Sequence, residues 1–199
     1  MEYLTDYTQK YWYDLLPLFN NNEYGTAAFM GNLWAESSCI PYRLEGDYLN
    51  ADGVYAGSIA YTNQVDSGVI TESSFVSDGK GYGVAQWTFS TRKQRLYYLY
   101  QNGHYDSIGS YALSIEMITD DMTGNYTDTW NVLKTATDIR TASDYVLFHY
   151  ENPDDKSESV QETRASYGQM FYERFAGKLP PRPNTRKKMP LWMYLKEGY

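Results

Sequence analysis

The sequence predicts a mainly helical domain of the α+β class, two-lobed, with a small β-hairpin lobe following its second helix. Three observations carry this. Long stretches keep apolar residues at helical spacing between recognisable start and stop signals. Residues 42–82 change character and become rich in Gly, Asp, Ser, Thr and Tyr. The helical pattern then returns and continues to Gly177.

Taken in order, residues 7–20 form a first helix with Tyr7, Tyr11, Leu15 and Leu18 on one stripe, and the run NNNEYG breaks it. Thr26 is positioned to cap a second helix, TAAFMGNLWAESS, on which Phe29, Leu33 and Glu36 share a face at i, i+4 and i+7. Gly31 inside that helix costs about 1 kcal/mol against Ala, which implies a close neighbour there. Pro41 ends the segment. Turn signals at Asp52-Gly53, Asp66-Ser67-Gly68 and Asp78-Gly79 then flank the alternating stretches VYAGSIAY and VITESSFV, which read as strands of a small β-hairpin lobe or as an ordered Ω-like excursion, not as a linker. Ser90 opens a helix through TRKQRLYYLYQ, and Ser107 opens another through IGSYALSIEMITDDM, closed by Gly124. Shorter helices cover Trp130 to Ala136 and Ala142 to Tyr150. Ser159 and Glu162 form a capping box for the last helix, where Val160, Arg164, Tyr167, Phe171 and Phe175 run down one stripe. Beyond it, KLPPRPNTRKKMP is extended and basic, so the expected division is a domain over residues 1–177 and a Pro-rich segment over 178–199.

Composition narrows the function. The net charge is −8, the wrong sign for nucleic-acid binding, which draws its non-specific affinity from neutralising phosphates. The sequence contains 22 Tyr, a residue suited to wet-edged cores and to stacking on sugar rings. Cys39 is the single cysteine and His104 and His149 are the only histidines, so neither a disulfide framework nor a cysteine-rich metal site is expected. The polar, acidic start is not a signal peptide, and no apolar run approaches the ~20 residues of a membrane span. No metal, organic cofactor or membrane insertion is expected.

Three segments carry candidate chemistry. Glu36 ends the second helix among Phe29, Leu33, Trp34 and Ala35. A partly desolvated carboxyl facing a cleft is the group that protonates a leaving glycosidic oxygen. GYGVAQW, residues 81–87, offers Gln86 as donor and acceptor, Tyr82 and Trp87 as stacking faces, and glycines that let backbone approach a ligand. FHYENP, residues 148–153, places Tyr150 and Glu151 at a helix end, where they cap it or line a cleft. A rival pairing sets Cys39 as nucleophile against His104 or His149.

AAFMGNLWAESSCIP, GYGVAQWT and FHYENP, in that order, resemble the phage tail lysozyme family of the lysozyme-like superfamily, whose pattern is M-G-N-L-x-x-E-S, Y-G-x-x-Q-W and Y-E-x-P. The resemblance spans about residues 10–177. It implies a lysozyme-like fold and cleavage of the β-1,4 bond between N-acetylmuramic acid and N-acetylglucosamine in peptidoglycan. By it Glu36 is the general acid, Gln86 is the cleft glutamine, and Tyr150 and Glu151 line or buttress the groove; Tyr82, Gln86, Trp87 and Tyr150 are expected to hold the sugars. It also implies a protein carried on a phage tail, with other tail proteins as partners, or a lysin made in the host cytoplasm before release. An acidic chain facing a polyanionic wall fits such tethering.

The second carboxylate is sought in residues 42–80, among Glu45, Asp47, Asp52, Asp66, Glu72 and Asp78, with Asp78 preferred because it abuts the Gly79–Gly83 turn. A spacing of about 5–5.5 Å from Glu36 would give retention and about 6.5–9.5 Å inversion. Without such a carboxylate, the same fold suits a lytic transglycosylase, in which the muramic 6-hydroxyl attacks. A non-catalytic wall-binding or tail structural module is the remaining reading.

Overall fold

The computed structural model describes residues 2–178, with side chains from residue 7 onward. Nearly all of the expected Pro-rich segment from 178 therefore lies outside the described residues. The elements are α1 (Glu2–Leu18), α2 (Glu23–Ser37), α3 (Ala56–Asp66), α4 (Glu72–Ser77), α5 (Ser90–Asn102), α6 (Tyr111–Thr123), α7 (Thr127–Lys134), α8 (Ile139–Val146), a π-helical turn (Leu147–Glu151) and α9 (Glu158–Phe175). No helix among the described residues is long and apolar enough to cross a membrane.

The centre of the molecule is α2. Every residue from Gly25 to Leu33 is buried, so this helix is covered all round and packs on α9, α8, α1 and α7. Its start is Asn22, whose Oδ1 accepts from Gly25 N–H at 2.9 Å. Thr26, the expected cap, lies inside the helix and donates its hydroxyl to Asn22 O. The neighbour that Gly31 implied is α9: a Cβ on Gly31 would stand 2.5 Å from Arg164 O and from Gly168 N. Two helices without side chains at their crossing can approach backbone to backbone, which fixes where Arg164 lies along α2.

The small lobe is helical, not a β-hairpin. The stretches read as strands are α3 and α4, and the extended structure there is limited to isolated antiparallel bridges, Leu44 with Tyr82 and Tyr82 with Trp87. Local caps explain the difference. Asp47 accepts from both the N–H and the hydroxyl of Ser58 at 2.6 and 2.7 Å, satisfying the first turn of α3. Thr71 Oγ1 does the same for Ser74 N–H at 3.3 Å in α4. The buried stripe of α3 is Ser58, Thr62 and Val65, spaced at i, i+4 and i+7. Two of these three are hydroxyl residues, which left a weak apolar signal in sequence.

Other starts shift as well. Ser110, not Ser107, caps α6, and Ser90 is the first residue of α5 with Phe89 as its cap. The capping box at Ser159 and Glu162 does not form, because α9 already begins at Glu158 after Ser157.

Candidate active site

The polar letters of MGNLWAES and its glycine each have a place in the frame. Gly31 admits α9. Asn32, fully buried, donates its amide to Ala28 O and to Ser143 Oγ, both at 3.0 Å. Its Oδ1 accepts from Arg164 Nη1 at 3.3 Å. One turn later, Glu36 Oε1 accepts from Arg164 Nη2 at 2.5 Å. The Glu36 side chain is 18% exposed and that of Arg164 10%, so the carboxyl is gripped from within and open to solvent on one side. Ser37 donates to Val84 O at 2.6 Å and so ties the end of α2 to the 81–87 loop. The apolar setting expected for Glu36 is thus replaced by a guanidinium contact, and Ala35 beside it is exposed.

A second arginine completes a charged cluster. Arg92 of α5 donates through Nη2 to Asp121 Oδ2 at 2.8 Å and through Nη1 to Tyr150 O at 3.3 Å. Its guanidinium lies over the rings of Tyr150 and Tyr126, 4.5 and 5.1 Å from their centroids. Tyr150 in turn donates its hydroxyl to Asp121 Oδ2 at 2.9 Å. The π-helical turn after α8 accommodates this by adding a residue per turn, and π-turns recur at functional sites. It sets Tyr150 inward and brings Glu151 into the field of Glu36. Burial, and then the Glu36 charge, push the Glu151 carboxyl well above the usual range, against the pull of Arg92 and Arg164.

The remaining predicted residues fall in two groups. Tyr82 and Trp87 are 0% and 1% exposed, and Tyr150 is 2% exposed. None of the three presents a stacking face; they correct the expected sugar contacts to interior supports. Tyr82 bonds Thr62 Oγ1 at 2.7 Å beneath α3, and its backbone pairs with that of Trp87 to close the loop. Gln86, half-buried, stands in left-handed backbone at φ +45°. Its amide donates to Arg43 O at 3.1 Å and Gly83 O at 2.9 Å, leaving Oε1 as its acceptor.

Asp78 belongs to a different set of partners. It takes a hydrogen bond from Tyr61, an ion pair from Lys93, and the Lys80 N–H at 2.9 Å. Burial works against its charge, but Lys93, Tyr61 and the Lys80 N–H together hold its carboxyl below the usual range. Lys93 is fully buried, and burial lowers its hold on its proton despite Asp78 beside it. The pair therefore only partly offsets the desolvation of the ammonium, and it pins α4 to α5. Cys39 is also fully buried, which pushes its thiol far up, while His104 and His149 are exposed, so the Cys–His pairing is not assembled. Among the described residues no group of three His, Cys, Asp or Glu side chains gathers as a metal site.

Sequence reasoning missed Arg92, Asp121 and Tyr126, and took Arg164 as one member of an apolar stripe. A charged residue on a buried stripe was the visible signal for Arg164. Asp121 sat likewise among Met117, Ile118 and Met122, all buried.

A helical domain whose central helix ends in a solvent-open, arginine-held glutamate fits the lysozyme-like class. The chain matches the family model for phage tail lysozyme over residues 7–175, and it belongs to that family. Membership gives it a lysozyme-like function directed at peptidoglycan. No curated protein and no solved structure matches the chain.

Proposed function

We propose that this domain cleaves the β-1,4 bond between N-acetylmuramic acid and N-acetylglucosamine in peptidoglycan, with Glu36 as the general acid. The observation that supports this most is the setting of Glu36 itself. Its carboxyl is open to solvent on one side, while Asn32, Arg164 and Ser37 fix the helix end that carries it. Proton transfer to a leaving oxygen needs a carboxyl placed in this way, on a rigid element within reach of bound sugar. Gln86 contacts the sugar through Oε1, and the buried Tyr82, Trp87 and Tyr150 support the surrounding backbone from within. In the phage, the domain acts as a tail-borne lysozyme or as a lysin.

A second reading, the lytic transglycosylase, is favoured by the engagement of Asp78. A carboxylate already bonded to Lys93, Tyr61 and Lys80 is poorly placed to activate water. Mass spectrometry of fragments released from purified peptidoglycan tests both readings. Reducing muramic ends support hydrolysis, and 1,6-anhydro ends support the transglycosylase. Wall binding without any release would overturn both in favour of a binding module.

A further inference from the structure

The charged cluster behind Glu36 has an odd number of acids. Arg164 pairs with Glu36 and Arg92 with Asp121, each through a direct contact. That leaves Glu151 as a third carboxyl without a cation of its own. Its Oε1 is buried and has no hydrogen-bond partner among the described residues. The groups that face it come from every surrounding element: Glu36 on α2, Arg92 on α5, Asp121 on α6, Tyr126 ahead of α7, Tyr150 on its own turn and Arg164 on α9. With every group ionised, two guanidiniums would face three carboxylates in a partly buried space, where Glu36 is 18% exposed and Glu151 is half-buried with its Oε1 sealed from solvent. An isolated buried charge is neutralised by proton uptake more cheaply than by leaving it unpaired.

We propose that Glu151 is a positioning residue for the acid step: it stores the one proton of this cluster, and Glu36 draws on it. The proposal rests on the reading of Glu36 as the acid. When substrate draws Arg164 off Glu36, a water between the two carboxyls accepts the Glu151 proton as the Glu151 O–H bond breaks. That water gives one of its own protons to Glu36, so that a new O–H bond forms there and the water is regenerated. Glu36 then gives that proton to the bridging glycosidic oxygen as the bond from that oxygen to the sugar C1 breaks. Glu151 remains as a carboxylate beside Arg92 and Arg164, and it regains a proton from water after turnover. Burial and the adjacent Glu36 charge, which already hold the Glu151 proton past the usual carboxylate range, agree with this order of events. The π-helical turn is what brings this carboxyl inward, in place of a solvated helix end.

The test is a titration of full-length protein carrying 13C at the glutamate carboxyl, read by NMR, together with pH–rate profiles on purified peptidoglycan. Wild type, Glu151→Gln and Glu36→Gln are compared. Gln is the neutral isostere of a protonated Glu, so the first variant keeps the packing. One glutamate carboxyl titrating far later than the others is expected in wild type. It disappears in Glu151→Gln and moves to lower pH in Glu36→Gln, where Arg164 is released and the Glu36 charge is gone. Glu151→Gln is expected to lower kcat about tenfold or more with KM little changed, and to shift the alkaline limb of the profile to lower pH. A late-titrating carboxyl that survives Glu151→Gln and vanishes in Glu36→Gln would place the proton on Glu36 and overturn the proposal, leaving the acid reading intact. Full cleavage by Glu36→Gln would instead remove the acid reading, while the NMR result still reports where the proton resides.

Discussion

Replacing Gly31 by Ala adds one methyl group at the closest point of the molecule's main helix crossing. That carbon would stand 2.5 Å from Arg164 O and Gly168 N and 2.9 Å from Gly168 Cα. Ordinary contact begins near 3.4 Å, so α9 has to retreat by about 0.9 Å. All three neighbours are backbone, so no flexible side chain can absorb the strain. Overpacking of this kind costs about 3 kcal/mol at the upper end, and the better helix propensity of Ala returns about 1 kcal/mol. The net loss is about 2 kcal/mol, or about 4–8 °C in Tm for a chain of this size. Activity should fall further than stability, because the same retreat carries Arg164 away from Asn32 and Glu36. A displacement of ~1 Å at a catalytic frame can reduce the rate by about 100-fold. Thermal unfolding followed by circular dichroism, with lysis of purified walls by turbidity well below Tm, reads both effects. A Gly31→Ala protein with unchanged Tm and unchanged lysis would refute the idea that this crossing sets the site.

Glu151→Gln should make the protein more stable at pH 7 than wild type by about 1 kcal/mol or more, since it relieves a buried carboxyl without a partner. The folded protein retains a proton there that the unfolded chain releases above about pH 4, so wild-type stability falls as pH rises past that point. The two melting curves should therefore converge near pH 4. Asp78→Asn leaves the buried Lys93 ammonium without its counter-charge and should destabilise by about 3 kcal/mol, measured by urea unfolding. The Asp78 carboxyl is held below its ordinary value, so the stability it contributes is present above about pH 4 and is lost as pH falls below it, which should narrow the gap between the two proteins. Cys39→Ala should retain wall cleavage, and native Cys39 should resist iodoacetamide until the protein unfolds; rapid native alkylation would contradict its burial.

The helices that frame the site were legible because their apolar residues recur at helical spacing, and Gly31 announced the close crossing before any partner was visible. The small lobe was not. Its helices bury Ser58 and Thr62 where an apolar stripe was sought, and Asp47 caps α3 from eleven positions upstream in the chain. Such a cap leaves no local signature. In the site, Glu36 and Gln86 could be read from motifs, but their environment could not. Arg164 and Glu36 are separated by 128 positions and meet only through the α2–α9 crossing. Arg92 and Asp121 likewise come together only when α5 packs on α6. Tyr82, Trp87 and Tyr150 illustrate the converse limit. An aromatic beside a glycine turn or at a helix end looks the same in sequence whether its ring faces solvent or the core.

The central claim is that Glu36 donates the proton that releases the sugar. Its most direct test is the turnover of purified peptidoglycan by Glu36→Gln against wild type, with matched folding confirmed by circular dichroism. A loss of 10²-fold or more in kcat, with wall binding retained, is the predicted result for removing a general acid. Equal release of muropeptides by the two proteins, or cleavage confined to amide bonds, would contradict the account.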